Sequence, residues 1–116
     1  MGWEFDKAKG RLAERFYKKY GHKLKVAYKE YDLIASDGYI KDEHGFNQGL
    51  CVFTKKQIFV NAQGKEVDET VLHELIHAIL ESTGFHQMPS WTIDLEELLC
   101  ENISNAIIAN FKISKR

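Results

Sequence analysis

The sequence predicts an α+β domain: a small antiparallel sheet with an N-terminal helix, a histidine-bearing helix and a C-terminal helix. Three observations predict it. Apolar residues recur at helical spacing in three segments, and two short apolar runs joined by a polar "TKKQ" read as a strand pair. The segments also follow one another as helix, strands, helix, helix, an order that places helices on one small sheet. At 116 residues the chain has room for one domain with a core, residues 1–116, and not for two.

Each element has its own signal. Over residues 6–20, Leu12, Ala13, Phe16, Tyr17 and Tyr20 keep helical spacing, and Gly21 supplies a stop. Leu24, Val26 and Tyr28 alternate with polar residues, as in a strand with one buried face. Residues 32–48 lose the pattern in a Gly-, Asp- and Lys-containing stretch and read as a long loop or irregular hairpin. "GLCVF" and "IFVN" then form the strand pair, with a connection short enough for a hairpin. A helix is expected from about residue 66 to 82 with Gly84 as its cap. The only proline, Pro89, separates it from a last helix over residues 94–110.

Composition bounds the function. A hydrophobic fraction of 44% with 28% charged residues is that of a soluble globular protein. Sixteen Lys and Arg against 17 Asp and Glu leave a net charge of -1, which argues against nucleic acid or an anionic membrane as the main partner. Lys18, Lys19, Lys23 and Lys25 form a local basic patch, read as a solvated helix end and strand edge. No stretch reaches the length of a membrane span, and "MGWEFDKAKG" lacks the apolar run of a signal peptide. Cys51 and Cys100 sit in apolar surroundings without a close-spaced partner; buried thiols in a reducing cytoplasm are expected.

The chemistry is concentrated in "TVLHELIHAIL". On a helix, His73 and His77 are four residues apart and project side by side, about 40° around the axis. Leu72, Leu75, Ile76, Ile79 and Leu80 form one apolar arc, with both histidines at its border and Glu74 beyond them. Two neutral imidazoles hold Zn²⁺ at about 2.0–2.1 Å and leave room for a third ligand and water. Zinc lowers the pKa of such a water toward neutrality, and a carboxylate beside the first histidine accepts its proton. Glu74 fills that place in H-E-x-x-H, so it is the expected general base, with His73 and His77 as metal ligands.

A catalytic zinc site usually has a third protein ligand. The metzincin continuation would need Gly and His where this chain has Leu80 and Thr83, so that subclass is excluded. His86 is nine residues past His77 and reaches back only if the turn folds over. Glu97 and Glu101 in "DLEELLCENISNAI" border an apolar arc and could face the histidines. With Asp94 as N-cap, Glu97 would have a local duty in a capping box. Glu101 has none, and is the favoured third ligand over Glu97.

With these segments in view, the chain resembles the small phage- and prophage-type zinc metallopeptidases related to the ImmA/IrrE family. "GLCVFTKKQIFVN" looks like the family's strand pair, "ETVLHELIHAIL" is similar to its zinc helix, and "CENISNAI" to the segment carrying its ligand glutamate. Together they cover about half the chain; residues 1–45 match no motif. The resemblance implies a gluzincin-like site, one zinc ion held by His73, His77 and Glu101, with Glu74 as base. It also implies an intracellular, mobile-element setting and a protein or peptide substrate. Family members that control a repressor usually carry a DNA-binding domain, for which this chain is too short. Tyr39 and His86 are candidates for stabilising an oxyanion. Two rival readings stand beside the peptidase: a non-catalytic zinc-containing binding protein, and a metal-free seam in which His73, His77 and Glu101 only pack two helices together.

Overall fold

The computed structural model describes residues 2–114, apart from the side chain of His86. It is α+β, as the sequence predicts. The elements are β1 (Trp3–Glu4), α1 (Gly10–Tyr20), β2 (Lys23–Val26), β3 (Lys29–Ser36), β4 (Ile40–Asp42), β5 (Gly45–Asn47), β6 (Gly49–Val52), β7 (Gln57–Asn61), α2 (Val67–Thr83) and α3 (Ile93–Asn110). The main sheet has the order β2-β3-β7-β6, and β1-β4-β5 form a second, three-stranded sheet.

The largest departure from the sequence reading is β3, which begins just before the stretch expected to be irregular and runs into it. It pairs antiparallel with β2 and parallel with β7, so the sheet is antiparallel except at its centre. Tyr31, Leu33 and Ala35 alternate along it and are almost wholly buried. Tyr28, by contrast, is 93% exposed because it falls in the turn between β2 and β3. The first helix starts four residues later than expected. Residues 6–8 instead run beside the end of β3, where Ala8 N–H donates to Ala35 O and Asp37 N–H to Asp6 O. Gly21, with φ 81°, ends α1 as anticipated.

β6 and β7 form the expected hairpin through a 3₁₀ turn at Phe53–Lys55. In β7, Ile58, Phe59 and Val60 are all buried, so this strand is the spine of the core. α2 packs across β6, β7 and β2, and Gly84 closes it in a left-handed conformation at φ 79°. Its pairing with Tyr20 of α1, whose hydroxyl donates to Asp68 Oδ1, ties the first turn of α2 to α1. α3 packs on α2 and contributes Cys100 to a small cluster with Ile76, Leu80 and Trp91. Among the described residues no helix is long and apolar enough to cross a membrane.

Candidate metal centre

The facing sides of α2 and α3 meet beside β6 and line a cleft of about 870 Å³. The half-buried α2 brings His73 and His77 to this cleft with their rings 4.9 Å apart, as four-residue spacing on one helix requires. Glu74 shares the cleft and is only 8% exposed.

The cap of α3 decides which acidic residues meet them. Thr92 is the N-cap, its Oγ1 accepting from Leu95 N–H at 3.0 Å, so the sequence-based choice of Asp94 is corrected by two residues. Threonine competes well for this place because its hydroxyl satisfies one of the free N–H groups of the first turn. Glu97 is then released from the capping role that had counted against it. Its carboxylate spans both imidazoles: Oε2 lies 3.1 Å from His73 Nε2 and Oε1 lies 2.9 Å from His77 Nε2. Glu101, the carboxylate favoured from sequence, is one turn further on; it lines the same cleft and pairs with neither histidine.

Glu96 was not foreseen. Its Oε2 is 2.5 Å from His77 Nδ1, and its Oε1 accepts from Trp91 Nε1–H at 3.1 Å. His77 therefore has a carboxylate oxygen at each ring nitrogen. A neutral imidazole carries one N–H, so it can satisfy only one of the two. With Glu96 holding the Nδ1–H, Nε2 is the free ligand atom, the arrangement that fixes a metal-binding tautomer. A sequence signal existed in "EE", but nothing in the spacing tells which acid of the pair turns to which nitrogen.

Cys100 is the other unforeseen neighbour. Among the described residues, its Sγ and ring nitrogens of His73 and His77 all lie within 4.8 Å of one another, close enough to hold a metal ion. The thiol is fully buried, and burial, with Glu96, Glu97 and Glu74 nearby, pushes it up to about 12. It is thus a poor thiolate until something displaces its proton.

Glu74 has no hydrogen-bonding or ion-pairing partner among the described residues, although it is more than nine-tenths buried and opens on the cleft. Burial raises its carboxyl from 4.5 to about 7; His77 opposes that shift and Glu97 adds to it. Gly49 makes room for it. A Cβ built there would lie 2.8 Å from Glu74 Cγ and 2.8 Å from Thr70 Cγ2. Tyr39 packs its ring edge on Phe46 and does not line the cleft. The proposals for His86 as ligand or oxyanion donor fall on a side chain outside the described residues. Compared with protein-family models, curated proteins and solved structures, the chain matches none of them.

Proposed function

We propose that the chain is a zinc-dependent metallopeptidase, with His73, His77 and Glu97 as metal ligands and Glu74 as general base. The observation that carries this reading is the convergence of two Nε2 atoms on one carboxylate beside a buried, unpartnered Glu74. Two imidazoles and a carboxylate, with space left in the cleft, are a donor set suited to catalytic zinc. The resemblance of residues 49–108 to ImmA/IrrE-related metallopeptidases agrees with it, as does that family's intracellular phage or prophage setting. Within that family pattern the third ligand is Glu97 rather than Glu101, because Glu97 already faces both rings.

Bound zinc supplies Lewis acidity for a peptide carbonyl and acidifies the attacking water. The protein's own residues do the rest. Glu74 takes a proton from the water as its oxygen adds to the carbonyl carbon. It returns the proton to the amide nitrogen as the C–N bond breaks, leaving a free carboxylate and an amine. Glu96 holds His77 in one tautomer. β6 is the free edge of the main sheet and borders the cleft, so an extended peptide can pair with it as an added strand.

The test is metal analysis and hydrolysis of quenched-fluorescence peptides by tag-free protein, beside Glu74→Gln. We expect about one zinc ion per chain in both proteins and turnover in the wild type only, a loss on the order of a thousandfold or more. Undiminished hydrolysis by Glu74→Gln removes Glu74 as base. Zinc content unchanged in His73→Ala removes the metal centre.

Cys100 supports a second reading, a closed non-catalytic site in which its thiolate joins the two histidines. Cobalt substitution separates the two. A thiolate-to-cobalt charge-transfer band that disappears in Cys100→Ser favours the closed site, and its absence favours the carboxylate site.

A further inference from the structure

The net charge of -1 hides a local concentration of acid. The cleft is lined by eight carboxylates and, among the described residues, by no lysine or arginine. Glu74, Glu96 and Glu97 serve the histidine centre. Asp42, Glu66, Glu69, Glu81 and Glu101 do not, and none of the five pairs with a lysine or arginine among the described residues. A dication offsets two charges and leaves most of the carboxylates uncompensated. Lys23 and Lys25 lie on β2, the sheet edge furthest from β6; Lys19 and Lys65 come nearer, bordering Glu66 and Glu69 from outside the cleft, and Lys41 lies over the Phe46 ring. Two of these are already neutralised locally, Lys19 by Asp68 and Lys23 by Asp32.

Acidic residues on a solvated face are common, so the cluster alone decides nothing. Here they surround a concave site whose floor holds Glu74, more than nine-tenths buried, without a partner and open to the cleft. Carboxylates around such a cleft focus the field inward and exclude anionic segments. Apolar surface from Leu50 and Trp91 lies among them, suited to the stems of long basic side chains.

Resting on the peptidase reading, we infer that the substrate is a polypeptide segment with lysine or arginine residues flanking the scissile bond. Asp42, Glu66, Glu69, Glu81 and Glu101 select it by charge. Its recognition is long-range and screened by salt.

The experiment measures binding apart from turnover. Zinc-loaded Glu74→Gln is titrated into a fluorescein-labelled peptide containing several lysines, and into versions with glutamine or glutamate in their place. We expect the lysine peptide to bind at least about tenfold tighter than the glutamine one, with the gap shrinking as salt rises. Adding Glu66→Gln and Glu69→Gln should narrow the gap, and adding Glu14→Gln and Glu30→Gln, outside the cleft, should leave it intact. Equal affinity for the three peptides, or a gap that the second pair closes as well as the first, overturns the inference. Wild-type hydrolysis of the same peptides is scored separately. Selective binding without cleavage would sink the peptidase reading and leave the acidic cleft standing; equal binding with cleavage of all three would do the reverse.

Discussion

Glu74 shows what one residue reveals about the state of the site. In the metal-free protein its ionised form has lost water and gained no partner, so the folded chain holds the proton more tightly than the unfolded one. Below about 4.5 both states are protonated and the residue costs nothing. Between 4.5 and about 7 the unfolded chain releases the proton and the folded chain keeps it, so stability falls as pH rises. Glu74→Gln escapes this penalty. In chelator, denaturant titration should find the variant more stable at pH 8, by up to about 3 kcal/mol, and little changed at pH 4.5. A difference independent of pH would mean that Glu74 is not desolvated as described. The pair of histidines and this glutamate were legible in the sequence because a helix fixes their relative directions. That Glu97 rather than Glu101 would lie against both rings was not legible, since it depends on how α3 packs on α2.

At the scale of elements, the site depends on how closely β6 approaches α2. Gly49 is the contact point: its missing side chain leaves the space taken by the Glu74 and Thr70 side chains. Gly49→Ala should push Glu74 aside, cost about 1–3 kcal/mol of stability and cut peptide hydrolysis at least about tenfold. Zinc content should be unchanged, because the atoms nearest the added Cβ belong to Glu74 and Thr70 and not to a proposed ligand. Metal loss with the same substitution would show that the strand positions the whole centre rather than the carboxylate. Strand reading from sequence succeeded for the β6–β7 hairpin, whose apolar runs are continuous and whose linker is short. It failed for β3, although Tyr31, Leu33 and Ala35 carry the alternation of a buried strand. Asp32, Asp37 and Gly38 diluted the signal, and its parallel partner β7 lies far along the chain, where local pattern gives no hint of pairing.

At the scale of the molecule, the proposed centre joins two parts of unequal strength. The main core gathers β2, β3, β7, α1 and one face of α2 around Phe16, Tyr31, Leu33, Ile58 and Val60. α3 is held differently. Of its described residues only Cys100 and Ser104 are buried, and the cluster it shares with α2 is small. Beyond the helix, Ile113 packs against the main core, while the Glu96–Cys100 turn is held by the histidine contacts and the small Ile76, Leu80, Cys100 and Trp91 cluster. A metal bridging α2 and α3 binds the folded arrangement and not the open one, so it stabilises that contact in proportion to its binding. Removing it should therefore act locally. With chelator, amide exchange over the first half of α3 should speed up at least about tenfold, while β3 and β7 stay as protected as before. Glu97→Gln should reproduce much of that acceleration without chelator, since it weakens the carboxylate link and leaves the main core untouched. Uniform acceleration across sheet and helices would show that α3 folds with the core as one unit, and no change on chelation would show that no metal joins the two helices.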